Sequence, residues 1–533
     1  MSLKYASKGK VALFTLLAGI KACDVLFIAY MLKIMLNIAS SGKSDYGRLV
    51  MFAALTAGGQ LLFMCSNFCY ETVKMGIIRD VNMELKKANL RYLIDQNTLD
   101  TKDGLSFMTN DLKQIETNRV TAQLDMIYQG LTFIGSIAFA FYNSWEMTLV
   151  FIVATIAPAI VQIVTSRIIT KRAQIWTKEN ATYTQYVSDS LSGAQSARLY
   201  NVRQNIVSRA IGAAQNMENA LRNMTLTQAW GLELIYSAAE LFCFVIPCTI
   251  GGIMMMQGRL AVGTLVMMVD LAVNFITPVV TLFNEVNQVK STVPMWQRTQ
   301  RALNYVSAED GQRDNYFEGM QLKDISYTTK HSKRKIFEHV NIDVKPGEKI
   351  LLMAPSGWGK TTLLRIMLGI YSPSEGQVLI NNKDVTSNWN VAHNYYSYVN
   401  QKPFVFNDTL RFNITLGRKV DDSTLSEVCH EAGLDDLIKN NGLDYEVGEN
   451  GNGLSGGQIQ RIEIARALLS GRPILLADEA TSALDPTLSL EIHKTLLHNK
   501  KVAVVEVAHK ISDVEKAMFD KIIVLDKPRK LTK

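Results

Sequence analysis

Six stretches of this 533-residue chain are apolar over the length a bilayer demands, and no other feature restricts its fold as severely. A helix crossing the hydrocarbon core needs about 20 mostly apolar residues, because lipid offers its backbone no hydrogen-bond partners. The stretches run over residues 11–36, 47–73, 123–142, 147–165, 233–256 and 262–283. The apolar part of the third, 127–142, is short, and its helix is expected to continue back through 123–126.

Lys and Arg in the connections set the orientation. The tail carries Lys4, Lys8 and Lys10, and the segment between spans two and three carries Lys74, Arg79, Lys86, Lys87, Arg91, Lys102, Lys113 and Arg119. Between spans four and five lie Arg167, Lys171, Arg172, Lys178, Arg198, Arg203, Arg209 and Arg222. The other three connections are short and nearly uncharged, so both termini are expected in the cytoplasm. The net charge of +7 follows from these flanks and does not point to nucleic acid. No secretory signal is evident, since the first apolar run has span length and no clear small-residue cleavage site. The two long basic segments contain little Pro or Gly and read as membrane helices continuing into the cytosol and folding back. Breaks are expected at 100–104 and at Ser192-Gly193-Ala194, where contact tips for a cytoplasmic domain would form. Five of the six cysteines fall inside apolar runs and read as packing residues. Cys65 and Cys69, one helical turn apart, have a spacing that a soft-metal site could use.

From about Gly319 the texture becomes soluble α/β. Residues 1–300 are expected to form the membrane domain, 301–318 a linker and 319–533 the second domain. Strand Ile350-Leu351-Leu352-Met353 leads into Ala354-Pro355-Ser356-Gly357-Trp358-Gly359-Lys360-Thr361-Thr362, and an apolar helix follows. Strand, small-residue loop, Lys-Thr and helix form the context of a phosphate-binding loop, whose N–H groups face an anion. Lys360 would reach the β- and γ-phosphates, and the Thr361 hydroxyl would ligate Mg²⁺. Ala354 stands where the first glycine belongs. If that position needs φ > 0, the substitution costs about 1–2 kcal/mol. A second strand, Ile474-Leu475-Leu476-Ala477, ends in Asp478 and Glu479, suited to Mg²⁺ and to the attacking water. A third piece, Leu454-Ser455-Gly456-Gly457-Gln458 ahead of a helix, is another anion-ready N-terminus. One nucleotide does not need both sites from one domain, so the second is expected to serve a partner's nucleotide.

With these motifs in this order, the chain resembles an ATP-binding cassette half transporter of the exporter type. The resemblance covers nearly the whole chain. Residues 354–361 resemble the family's Walker A loop, Gln401 its Q-loop, 454–458 its signature and Asp478-Glu479 its Walker B end. Ser482-Ala483-Leu484-Asp485 resembles its D-loop and His509 its switch histidine. The resemblance implies ATP and Mg²⁺, with Glu479, His509 and Gln401 catalytic and Thr361, Gln401 and Asp478 on the metal. It implies an all-α six-helix membrane domain with long cytoplasmic extensions, fused to an α/β P-loop NTPase domain. It also implies that two chains close head to tail around two ATP molecules, each between one chain's Lys360 loop and the other's Ser455-Gly456-Gly457. Intact motifs favour a homodimer over a heterodimer. The family's adenine-stacking aromatic falls on Thr329 in the alignment, with Tyr327 facing inward, so both residues are candidates for the base contact.

Efflux from a bacterial cell is the expected function. An importer on the same fold and a membrane sensor whose ATPase regulates a partner are the alternatives, and transport in liposomes separates the latter. A soluble cassette ATPase acting on nucleic acid is excluded by the six spans. The run 330–335 reads as a solvated loop, while Met254-Met255-Met256 and Met267-Met268 offer either packing or an adaptable cargo surface. Lys21, Asp24, Glu240 and Asp270 lie deep in spans, where an ionised residue must face the bundle interior or water. Lys21 and Asp24 are expected to neutralise each other. Glu240 and Asp270 would then line the transport cavity and select a cationic cargo or take up protons.

Overall fold

The computed structural model describes residues 2–40, 46–95, 101–306, 316–329, 334–355, 357–481, 484–508 and 511–525. Of the residues singled out above, Asp100, Ser356, Ser482, Ala483 and His509 lie outside this set, as do 307–315 of the expected linker and 330–333 of the basic run. The chain divides into two compact units, residues 1–306 and 307–533.

Among the described residues of the first unit, six helices are long and apolar enough to cross a membrane: Lys8–Ser40, Tyr46–Asp95, Asp103–Asn143, Trp145–Ser192, Arg203–Met256 and Val262–Ser291. The second to fifth contain 50, 41, 48 and 54 residues. At about 1.5 Å per residue they reach roughly 60–80 Å, twice the hydrocarbon thickness, so about half of each projects into water. The second extension folds back through the short helix Ala194–Leu199, next to the Ser192-Gly193-Ala194 break. Of the first expected break, residues 101–104 are helical. Gly104 sits inside the helix Thr101–Ser106, because one glycine costs a helix only about 1 kcal/mol and does not end it.

Close approach of the fourth and fifth helices depends on Gly231, where a Cβ would stand 3.3 Å from the Thr165 Cβ. Lys21 does not pair with Asp24. Its Nζ reaches Glu71 Oε1 on the second helix at 3.1 Å and lies 4.0 Å above the Tyr70 ring. Asp24 instead accepts from Gln60 Nε2 at 3.1 Å. A neighbouring helix offers each of them a better-directed partner than a residue three positions away on its own helix. Met267 and Met268 are fully buried with Phe151 and Phe275, so that pair is packing. Cys65 and Cys69 are free and exposed, and among the described residues no cluster of metal-ligating side chains forms.

Among its described residues the second unit contains two sheets. Strands β1 (Met320–Thr328), β2 (Lys335–Val344), β4 (Glu375–Ile380) and β5 (Lys383–Asp384) form an antiparallel sheet in the order β2-β1-β4-β5. Strands β3 (Lys349–Met353), β6 (Tyr396–Val399), β7 (Ile474–Asp478), β8 (Ala503–Val507) and β9 (Lys521–Val524) form a parallel sheet in the order β6-β7-β8-β3-β9. The apolar runs Ile350-Leu351-Leu352, Ile474-Leu475-Leu476-Ala477 and Ala503-Val504-Val505 are buried on both faces, as parallel strands demand. Val399 pairs with Ala477, and Asp478 with Val507, so the strands end in line. Loop 354–359 leaves β3, Gln401 follows β6, and Asp478 closes β7, so all three arrive at the same carboxyl edge.

Candidate active site

The phosphate loop owes its shape to two glycines. Gly357 and Gly359 have φ of +74° and +108°, in the left-handed range that only glycine enters freely. At Gly359 a Cβ would stand 2.4 Å from Ile336 Cγ2, so no side chain fits there. Ala354 is not among the left-handed residues, and its methyl packs against the core beneath the loop. The cost conditional on positive φ therefore does not arise. Trp358, placed by its position among the nucleotide contacts, buries its indole against Phe337, with ring centroids 4.9 Å apart and planes nearly parallel. Only its backbone is left to face a phosphate.

Lys360 and Thr361 open the helix Lys360–Met367, whose N-terminal N–H groups point out of the loop. Lys360 Nζ donates to the Ala354 carbonyl at 2.9 Å and to the Pro355 carbonyl at 3.4 Å. Burial lowers its pKa, against the pull of Glu479 and Asp478. Thr361 Oγ1 donates to Asp478 Oδ2 at 2.7 Å, which joins the first two motifs. Burial raises the Asp478 pKa, opposed by that hydrogen bond.

Glu479 is the most constrained residue of the site. Its φ is +55°, a conformation that costs a residue with a side chain about 1–2 kcal/mol. Hydrogen bonds hold both its peptide and its side chain. Its N–H donates to the Val507 carbonyl at 2.8 Å, its carbonyl accepts from Gln460 Nε2 at 2.9 Å, and its Oε2 accepts from Gln401 Nε2 at 2.9 Å. Such strain persists where the surroundings over-determine it. Gln460, fully buried, was missed by the reading of the sequence, because nothing in the local pattern distinguishes it from a core polar residue.

Ser455 caps the helix Gly456–Ser470 in a reciprocal box with Gln458: Gln458 N–H donates to Ser455 Oγ at 3.2 Å, and Ser455 N–H to Gln458 Oε1 at 2.8 Å. Ser455 and Gly456 are exposed, and a Cβ on Gly456 would meet nothing within 4 Å. The structure thus brings Lys360, Thr361, Gln401, Asp478 and Glu479 together by direct hydrogen bonds or shared neighbours, and leaves the Ser455-Gly456 end open.

Tyr327 stacks on Tyr371 at 6.1 Å and packs against Phe337 at 6.2 Å. Thr329 closes the β1–β2 hairpin, its N–H donating to the Arg334 carbonyl at 3.0 Å. Thr329→Tyr is therefore expected to lower the ATP concentration for half-maximal activity by roughly two- to tenfold, the value of one stacking contact. Tyr327→Ala is expected to lower thermal stability first. Normal folding with poor ATP binding in Tyr327→Ala would make Tyr327 the stacking residue.

In the membrane unit a cavity of about 700 Å³ opens between the fifth and sixth long helices, lined by Tyr236, Glu240, Cys243, Thr277 and Thr281 among apolar side chains. Glu240 starts a π-helical turn, Glu240–Val245, just ahead of Pro247. Pro247 has no N–H to offer the fourth carbonyl before it, and a π turn is one way a helix absorbs that loss. Asp270 is not among the residues lining this cavity, so the two acids expected to line it together are not both placed there.

The ABC transporter transmembrane region matches residues 11–279, and the ABC transporter domain matches residues 337–482. An ATP-dependent lipid A-core flippase of Vibrio vulnificus is 27% identical over 541 aligned positions, covering 98% of this chain and 91% of the relative. The uncharacterized ABC transporter ATP-binding protein YfiC of Bacillus subtilis is 26% identical, over 79% of this chain and 71% of its own. Among solved structures, a bacterial Atm1-family ABC exporter with ATP bound superposes with a TM-score of 0.83 at 21% identity, covering 98% of this chain and 94% of that one.

Proposed function

We propose that two copies of this chain, which belongs to the ABC transporter family, close around two ATP molecules and export an amphiphile with a positively charged group across a bacterial membrane. The chain is a multi-pass membrane protein whose second unit is an ATPase of ABC type. The shared-site reading rests on the capped, open N-terminus at Ser455-Gly456, an anion site its own phosphate loop does not use. All motifs in one chain favour identical partners. Both termini face the cytoplasm in this reading, on the basic flanks.

Thr361 and Asp478, oxygen donors within hydrogen-bond distance of each other, are joined at the same sheet edge by Gln401. This is the hard donor set that Mg²⁺ takes, and these residues would hold it. Bound there, Mg²⁺ would supply positive charge to offset that of the phosphoryl group. Lys360 orients the β- and γ-phosphates and His509 the γ-phosphate. Glu479 polarises the attacking water and accepts its proton, with Gln401 and Gln460 aiming its carboxylate and peptide.

For the cargo, one observation carries the reading: Glu240 is a lone carboxylate in an otherwise largely apolar cavity. The relatives named as lipid A-core flippases support an amphiphilic cargo, while Glu240 favours a cation as its polar group. In lipid vesicles, alkyl amines are expected to stimulate the ATPase more than anionic lipids do. Glu240→Gln should raise the amine concentration for half-maximal stimulation roughly tenfold, the value of one charge-assisted contact, with basal hydrolysis intact. Identical amine stimulation of wild type and variant would remove the cation assignment.

A further inference from the structure

Behind the catalytic edge lies a buried ionic cluster that the chemistry above does not use. His493, on the helix Pro486–His498, is 1% exposed, as is Glu506 on β8, and Glu515 is 7% exposed. His493 Nε2 lies 3.1 Å from both carboxylate oxygens of Glu506, and Nδ1 lies 2.9 Å from Glu515 Oε1. Glu515 is held in turn by the Ser489 hydroxyl at 2.8 Å, the Ser512 hydroxyl at 2.6 Å and the Ser512 N–H at 2.9 Å. The Phe519 ring meets the imidazole edge-on at 6.2 Å. A neutral imidazole has one N–H, yet both nitrogens face acceptors, so the geometry calls for the imidazolium.

This bridge joins three elements: the helix Pro486–His498, the end of β8, and the short helix Asp513–Lys516 that Ser512 and Glu515 cap. The residue after Glu506 is Val507, whose carbonyl accepts the N–H of Glu479 at 2.8 Å. Buried ion clusters add little stability over apolar packing of the same volume, but their directional bonds fix one register. The strand end that the cluster touches is the one whose Val507 carbonyl accepts from the left-handed Glu479 peptide.

We propose that His493 is a positioning residue for ATP hydrolysis, its imidazolium clamping Glu506 and Glu515 so that the end of β8 holds the Glu479 peptide in its reactive setting. The inference rests on the assignment of Glu479 above. Burial pulls the His493 pKa down, but the hydrogen bonds and charges of Glu506 and Glu515 more than reverse this and raise it to about 9. The clamp is therefore complete below the ordinary histidine value of 6.5 and is lost as pH rises through about 9.

The test compares wild type, His493→Ala and Glu506→Gln as full-length protein in lipid vesicles, with Glu479→Gln as the reference for the catalytic assignment. Glu506→Gln keeps an acceptor for the imidazolium and removes a charge. It is expected to leave the KM for ATP within about twofold, and to lower kcat roughly tenfold through misplacement of Glu479. The alkaline limb of its kcat profile should also move to lower pH. His493→Ala should lower kcat roughly tenfold to a hundredfold at unchanged nucleotide affinity. Should His493→Ala fail to fold, Glu506→Gln decides alone. An unmoved alkaline limb in Glu506→Gln, or wild-type kcat per folded molecule, overturns the proposal. If instead Glu479→Gln proved active, the catalytic assignment itself would fall.

Discussion

Glu479→Gln is expected to cut ATP turnover by roughly a thousandfold or more, at near-normal nucleotide affinity, which is the range proton-transfer catalysis supplies. An amide neither accepts the water's proton nor polarises the water as a carboxylate does. The variant should still fold. The left-handed backbone is held by the Val507 carbonyl and the Gln460 amide, and neither contact involves the side chain that changes. A glutamine oxygen can also still accept from Gln401 Nε2. The measurement is single-turnover hydrolysis beside equilibrium ATP binding on contaminant-free protein. Hydrolysis close to wild type would remove Glu479 from the mechanism.

Gly456→Asp should move stability and activity in opposite directions. The new side chain enters open space at the first position of a 15-residue helix, and a carboxylate there gains about 0.3–1 kcal/mol from the helix dipole. The melting temperature should hold or rise. ATPase activity should fall at least roughly a hundredfold, because the same carboxylate would face the γ-phosphate of a partner's nucleotide and unmake the donor set that stabilises it. Scanning calorimetry with a steady-state assay on one preparation reads both. Retained activity would mean that this helix end faces no nucleotide.

Much of this architecture is legible in the residues, because the constraints that create it are strong and local. Lipid demands long uninterrupted apolar runs, so six spans show in the sequence. A parallel strand buried on both faces must be continuously apolar, so the Asp478-Glu479 pair at the end of Ile474–Asp478 is visible as an abrupt change. What escapes is set by partners distant in the chain. Lys21 finds Glu71 fifty positions away, which periodicity within one helix cannot announce. Asp270 shares a helix with Val269 and Ala272, yet those two line the cavity and it does not, a matter of helix rotation. Trp358, in the loop after β3, turns into the core because Phe337 on β2 stacks on it. The left-handed backbone at Glu479 has no local signature, since glycine, the usual marker, is absent. The clamp of His493, Glu506 and Glu515 joins residues that are unremarkable singly.

Each ATP is expected to lie between two chains, and disulfide capture across that boundary tests this most directly. Two differently tagged chains, one with Ser455→Cys and one with Pro355→Cys, would be mixed in lipid on a background without Cys23, Cys65 and Cys69, the exposed native thiols. Both would carry Glu479→Gln, so that ATP binds without turnover. With ATP and mild oxidant, a crosslink joining the two tags is predicted, and without ATP it should be weak or absent. No link between the tags under ATP, from chains that bind ATP and whose introduced thiols react freely, would contradict the shared site.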